Sequence, residues 1–346
     1  MKAKPELSLH QVTVQDLDTI RALYLDVWGY NRPRTFDQWR FFDAPYGICP
    51  AVLAMDGERP VGFYTVWPVK IRLTGRMVLG GQSMDTMTHP DYQGQGIFPK
   101  LANACYELSA ARGYKILYGF PNPLSYPGFI QRLEWQHTGD ITHWIRPIRP
   151  SGHPGIPSLL GPVTDLIVRC YPKGSTRQFD ISIGIPSLDM LGGQMREWNK
   201  QIGGHQIDRT PNWLKWRYAD QSENDYEWVC AYRQGKLSAI GVWGMQNVQW
   251  GQVADQRAHL VELSGIDHTA RQAILATVIK RAFQKSAILI ETMTNIGEVT
   301  ATLRRAGFIR HRQAPLIIRS LDNDVADAAV YDHDLWRFIG GDVDTF

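Results

Sequence analysis

The sequence predicts an α/β chain built from two tandem copies of one fold, each a mixed, mostly antiparallel sheet flanked by helices. Three observations lead there. The chain has 346 residues, more than the roughly 100 to 200 of one typical core. The order hairpin, strand, helix, strand, helix runs through the first half and recurs in the second, and self-similarity over that many elements points to a repeat. A stretch rich in proline and glycine, residues 149–174, separates the two. The expected division is a first domain over 1–148, a linker over 149–174 and a second, degenerate domain over 175–346.

The first copy opens with a strand at Leu7 to Gln11. Thr13 followed by Asp16 reads as a helix cap, and Leu17, Ile20, Leu23 and Val27 recur at helical spacing to an end near Trp28. Val52 to Met55 and Val61 to Val69 are strands joined through Asp56-Gly57, and Met77 to Thr88 is a third. From Phe98 the period changes: Leu101, Ala104, Cys105, Leu108 and Ala111 share a helical face that Gly113 ends. Lys115 to Phe120 reads as a buried strand and Ser125 to Leu133 as a second helix. In the second copy Trp228 to Tyr232, a turn at Gln234-Gly235 and Leu237 to Trp243 repeat the hairpin, with Gly241 standing where Gly62 stands. A strand at His259 to Leu263, a helix at Thr269 to Phe283, a strand at Ile288 to Glu291 and a helix at Gly297 to Arg305 complete the echo.

Composition narrows the function. Hydrophobic residues make up 44% and charged residues 21%, a globular balance. The 37 basic residues are scattered among 34 acidic ones for a net charge of +3, so no basic block points to nucleic acid. The cysteines Cys49, Cys105, Cys170 and Cys230 form no C-x-x-C pair and read as buried free thiols rather than as a zinc site or a disulfide framework. The ten histidines show no H-x-x-x-H spacing, and His137 and His143 read as sheet-edge residues, so no metal is expected. No apolar stretch reaches the roughly 18 residues of a membrane span, and the expected location is the cytoplasm.

Between a strand and an amphipathic helix lies His89-Pro90-Asp91-Tyr92-Gln93-Gly94-Gln95-Gly96-Ile97-Phe98-Pro99. Glycines let backbone approach a ligand, and the free N–H groups of a first helical turn favour phosphate. Pro99 suits that turn, where a missing N–H costs nothing. The loop lacks the G-K-[ST] of a nucleoside-triphosphate loop and the third glycine of the dinucleotide fingerprint.

What the segment resembles is motif A of the GCN5-related N-acetyltransferases (GNAT), Q/R-x-x-G-x-G/A, on Gln93, Gly96 and, with a departure, Phe98. The resemblance spans about Thr13 to Trp135. It implies that Met87 and Thr88 offer backbone groups to the pantetheine arm of acetyl-CoA. It also implies that the turn from Gln93 and Gly94 through Gln95, Gly96, Ile97 and Phe98 holds the pyrophosphate. Asn122 resembles the asparagine that orients the helix beside the thioester, with Ser125 at the small position after it, although Pro121-Asn122-Pro123 is also a plain turn sequence.

Acyl transfer to an amine needs a base for the amine and an acid for the departing thiolate. The resemblance points to Tyr126 as the acid, with Phe129 or Ile130 where the family's tyrosine commonly falls, and to Asp85 as the base. A more distant likeness to tandem acetyltransferases of the enhanced intracellular survival type implies instead the C-terminal carboxylate of Phe346. In the second copy the turn Ser264 to Thr269 has one glycine and an aspartate, so it is not expected to bind CoA. The segment Arg209 to Tyr218 resembles one at the start of the second unit in tandem acyltransferases of surface polysaccharide formation; its own aromatics read either as a stack for a sugar or, as stripes of tryptophan more often do, as core. The resulting expectation is an acetyl-CoA-dependent N-acetyltransferase acting by direct attack on a small-molecule, sugar or peptide amine. A Fem-like aminoacyl transferase of cell-wall synthesis and a non-catalytic CoA-binding protein are the alternatives.

Overall fold

The computed structural model describes residues 7–152, 161–169, 176–221, 223–250, 253–325 and 327–344. Two compact units emerge: Met1–Asp140 with Pro315–Leu335, and Ile141–Ala314 with Trp336–Phe346. Neither is contiguous in sequence. Of the expected linker, residues 153–160 and 170–175 lie outside the described residues, and a helix stands between them.

The first unit begins with β1 (Leu7–Gln11), α1 (Leu17–Trp28) and α2 (Arg34–Phe42). The Asp16 carboxylate accepts from the Thr13 N–H at 2.7 Å and from its hydroxyl at 2.9 Å, closing the turn that leads into α1. Strands β2 (Ala51–Asp56), β3 (Arg59–Leu73) and β4 (Arg76–Thr88) form an antiparallel meander; α3 (Ile97–Ala111), β5 (Ile116–Gly119), α4 (Tyr126–Arg132) and β6 (Gln136–Pro147) follow. β4 and β5 pair in parallel over Gly80–Gln82 and Ile116–Tyr118 only.

The second unit holds α5 (Gly161–Arg169), β7 (Asp180–Ile183), α6 (Leu188–Ile202), β8 (His205–Ile207) and α7 (Pro211–Tyr218). After them come β9 (Glu227–Arg233), β10 (Lys236–Trp250), β11 (Val253–Ser264), α8 (His268–Gln284), β12 (Leu289–Met293), α9 (Gly297–Arg305) and β14 (Trp336–Arg337), while β13 (Ile309–Ser320) begins in this unit and ends in the first. Its sheet repeats the first in order and sense: β7/β9, β9/β10 and β10/β11 are antiparallel and β11/β12 parallel, as β1/β2, β2/β3 and β3/β4 are antiparallel and β4/β5 parallel.

Each sheet gains its sixth strand from a distant part of the chain. In the first unit Ile317 to Ser320 of β13 pair with Gly119 to Ile116. In the second, His143 to Pro147 of β6 pair with Met293 to Leu289. That is why the units interleave in sequence.

Two details mark the copies as one fold. A Cβ on Gly62 would fall 2.7 Å from the Leu101 side chain, and one on Gly241 would meet Ile274, so the helix that follows β4 or β11 lies directly on a glycine of the neighbouring strand, β3 or β10. In each, the ladder slips one residue after that glycine's neighbour: between Phe63 and Thr65 against β4, and between Val242 and Trp243 against β11. A β-bulge results in both.

Cys49, Cys105 and Cys230 are buried free thiols, as expected; Cys170 lies outside the described residues. Trp213, Trp216 and Tyr218 of α7 are buried, so the aromatics of that segment are core and are not presented to a sugar. His143 is a buried strand residue bonded to Glu291 at 2.9 Å, while His137 is exposed. No helix among the described residues is long and apolar enough to cross a membrane, and no metal-binding cluster occurs among them.

Candidate functional site

The turn after β4 is built outward from its anchors. The His89 Nδ1 accepts from the Asp91 N–H at 3.2 Å, Arg59 reaches Asp91 at 3.2 Å, and the Tyr92 hydroxyl donates to Asp56 at 2.6 Å, tying the turn to the β2–β3 hairpin. The chain then passes through Gly94 and Gly96, both at φ +75°. Any other residue is strained there. α3 begins at Ile97, so the N–H groups of Ile97 and Phe98 have no intrahelical acceptor, and Pro99 fills the position that needs none.

Beside this turn lies an open groove of about 500 Å³. Of the ten residues expected to hold the cofactor, Met87, Thr88, Gln93, Gly94, Gly96, Ile97, Phe98, Asn122 and Ser125 line it. Gln95 does not: its side-chain amide turns back to donate to the Asp91 carbonyl at 3.3 Å. Sequence reasoning missed Val27 and Trp28 at the end of α1, and Arg132, the one charged side chain among the lining residues. Arg132 stands one helical turn beyond Gly128, which also lines the groove, and that i,i+4 spacing was the signal available.

Phe98, the departure from the small residue of the motif, is accommodated. Its ring packs edge-on against Phe129 at 5.0 Å and lies over Gly128, where a Cβ would come within 2.7 Å of it. Across the groove the Asn122 Oδ1 accepts from the N–H groups of Leu124 (3.0 Å) and Ser125 (2.9 Å), an Asx turn that launches α4. The asparagine thus orients the helix, and its carbonyl is committed to doing so.

Tyr126 is brought beside the groove but does not line it. Its hydroxyl bonds the His137 Nδ1 at 2.9 Å, while His137 Nε2 bonds the Gly139 carbonyl at 3.0 Å and Asp140 at 3.2 Å. A carbonyl only accepts, so Nε2 carries the proton and, in the neutral ring, Tyr126 is the donor to Nδ1. Phe129, where the family's tyrosine commonly falls, is buried hydrocarbon.

Asp85 lies in the β4 bulge, where it and Thr86 stand opposite Tyr64, at φ +45°. Arg32 reaches its carboxylate at 3.0 Å and Arg40 at 3.1 Å. Burial raises its pKa, but the two guanidiniums more than offset that and hold it below the ordinary value. A carboxylate so held is a weak proton acceptor, which speaks against the expected base role. Phe346 lies outside the described residues.

The equivalent region of the second unit is closed. The Asp267 carboxylate accepts from the N–H groups of Thr269 (2.8 Å) and Ala270 (3.3 Å) and pairs with Arg233 at 3.0 Å, so the start of α8 is already capped by an anion. β11 and β12 pair only over Arg257–His259 and Leu289–Glu291; beyond that, Ile339 bridges Thr294, and Gly341 abuts the Val261 carbonyl, where a Cβ would lie 2.9 Å away. Asn295 clamps this segment, donating to the Trp336 carbonyl and accepting from the Phe338 N–H, both at 2.9 Å. Below it, Arg209 is buried between Glu262 and Asp342. Burial lifts the Asp342 carboxyl against the pull of Arg209 to about 7.

Residues 8–138 match the family model of the acetyltransferase (GNAT) domain. The match lies within the first unit. Solved structures similar to this chain include a GCN5-related N-acetyltransferase from Anabaena variabilis, at 9% identity and TM-score 0.65, covering 92% of this chain and 73% of that one. Another is a probable N-acyltransferase from Enterococcus faecalis, at 12% identity and TM-score 0.65, covering 92% and 74%. A third is Saccharomyces cerevisiae N-myristoyltransferase with bound myristoyl-CoA, at 10% identity and TM-score 0.67, covering 92% and 80%. A search of curated sequences returned no match. Likeness over 92% of the chain extends beyond the GNAT domain itself and agrees with two GNAT-like folds in tandem.

Proposed function

We propose that this chain is an acyl-CoA-dependent N-acyltransferase, with acetyl-CoA as donor and a small-molecule, sugar or peptide amine as acceptor. The observation that carries the reading is the groove between β4 and α4, floored by a left-handed glycine turn at the start of α3. Free first-turn amides suit the pyrophosphate, Arg132 supplies positive charge at the rim, and Thr86 to Thr88 offer a strand edge to the pantetheine amides.

The neutral amine attacks the thioester carbonyl, a C–N bond forms, the C–S bond breaks, and the amine's surplus proton ends on the thiolate. Tyr126 is the proposed acid. Its proton, held towards the His137 Nδ1 before reaction, passes to the sulfur. Asp85 is not assigned the base, for the reason its two arginines give. Phe346 stays a second proposal for that proton.

The test is release of free thiol from acetyl-CoA against a panel of amino sugars, aminoglycosides and peptides. Release is expected with at least one acceptor, and Gly96→Glu, which places a strained side chain and a negative charge at the phosphate position, is expected to abolish it. A protein that binds acetyl-CoA yet releases no thiol with any acceptor is a non-catalytic CoA-binding protein. Transfer from an aminoacyl-tRNA in place of acetyl-CoA would favour the Fem-like reading.

A further inference from the structure

The β4 bulge carries a brace that neither the fold nor the glycine turn requires. Asp85 holds a left-handed φ of +45°, uncommon for a residue with a side chain, and does so with its carboxylate nearly withdrawn from solvent, 12% exposed. Two arginines from different elements grip it: Arg32 from the α1–α2 connection at 3.0 Å and Arg40 from α2 at 3.1 Å. Arg32 is fixed in turn by the buried Asp37 at 2.8 Å and lies over the Tyr24 ring at 4.1 Å. Two positive and two negative groups thus tie one bulge residue to the helical layer that covers it. Burying four charges is not an economical way to gain stability, since a well-packed apolar cluster does as well or better.

The two copies differ beyond this bulge. Both carry the bulge at the same offset from the close-packing glycine. In the second copy the strand beyond the bulge is covered by the chain itself, with Gly341 against Val261 and Ile339 bridged to Thr294. In the first copy the residues that follow Asp85, Thr86 to Thr88, line an open groove. The open copy carries its buried charges on the bulge residue Asp85 itself; in the filled copy the bulge residue is the apolar Val261, and the buried charges, Glu262, Arg209 and Asp342, tie down the covering segment instead.

We infer that Arg32, Asp37, Asp85 and Arg40 are positioning residues that hold Thr86 to Thr88 in register for the pantetheine arm of the donor, and that they leave the phosphate turn untouched. This rests on the donor proposed above.

The two parts of the donor can be weighed separately. Affinity is measured by calorimetry for CoA and for 3′-phosphoadenosine 5′-diphosphate, which keeps the phosphates and lacks the pantetheine arm. Asp85→Asn tolerates the same φ and removes the charge. It is expected to weaken CoA by about tenfold or more while leaving the fragment within about twofold of the parent. Unchanged CoA affinity overturns the inference, and so does an equal loss for both ligands, which is what a merely structural role would give. Should Asp85→Asn fail to fold, Arg40→Lys, which keeps the charge and loses the two-pronged grip, is read by the same difference. A parent protein that binds neither ligand brings down the donor reading itself, whatever the variants do.

Discussion

Gly96 and Tyr126 are the two residues whose side chains, or lack of one, decide most about the groove, and the sequence spoke for them unequally. Gly96 at φ +75° is an αL cap that only glycine fills without strain, and its place between strand and helix was readable from the letters alone. Tyr126 was readable as a hydroxyl near the site, but its partner, His137, comes from the following strand, and no local pattern announces a contact 11 residues away. Arg132 is legible only through its i,i+4 spacing from Gly128, which means something only once Gly128 is known to line the groove. Asp85 is legible as the carboxylate of its strand, but the two arginines that speak against a base role arrive 45 and 53 residues earlier in the chain. The tyrosine gives a sharp test. A positioned general acid contributes about 10²- to 10⁴-fold, so Tyr126→Phe is expected to lower kcat by that order with KM for the acyl donor nearly unchanged. A kcat within about twofold of the parent would assign the proton to solvent.

At the scale of elements, α3 and α4 are matched through one contact. Phe98 fits only because residue 128 has no side chain, and the ring is already held by Phe129 at 5.0 Å and Tyr64 at 6.2 Å. Overpacking of this kind costs about 1 to 3 kcal/mol. Gly128→Val is therefore expected to lower the melting temperature and weaken acetyl-CoA binding together, because the displaced ring belongs to the first turn of α3. Combining Gly128→Val with Phe98→Ala should restore most of both, and a strictly additive double variant would refute the coupling. The regular elements that bury an apolar stripe, such as α1, α3 and α8, were legible from spacing. α2 was not, since its buried face carries Asp37 and Arg40 beside Trp39 and Phe41, and helical spacing is read from apolar residues. α6 does bury an apolar stripe, Leu191, Met195, Trp198 and Ile202, interleaved with the buried Gly192, Gln194 and Asn199. The sixth strand of each sheet was equally hidden, because Ile317 pairs with Gly119 and Leu289 with Pro147, and pairing over such distances in sequence leaves no local mark.

For the whole molecule, two properties follow from how the copies differ. The first is acid sensitivity in the second unit. Burial depresses the His259 imidazole to about 4, and Glu291, raised by burial but pulled down further by His143 and Arg312, falls to about 2. Both are depressed in the folded state, so each stabilises the fold above its unfolded pKa and loses that contribution as pH falls towards the folded value. The window runs from about 6.5 down to 4 for His259 and from about 4.5 down to 2 for Glu291. His259→Met is expected to flatten the melting temperature across the upper window, where the ceiling is about 3 kcal/mol, and to keep the fall below it. An unchanged slope between pH 6.5 and 4 would place the titrating group elsewhere. The second property is stoichiometry. On the function proposed above, CoA needs both an open helix N-terminus and an open gap between the two parallel strands. In the second copy Asp267 caps α8 with a negative charge of its own, and Ile339 to Gly341 run where the gap would be. Two independent blocks must then be removed to create a site. Calorimetry should find one equivalent of CoA per chain, Gly96→Glu should reduce that to none, and Asp267→Ala should cost the helix about 1 kcal/mol without adding a second equivalent. Two equivalents in the parent, or one surviving in Gly96→Glu, would show that the second copy binds the cofactor despite its filled gap.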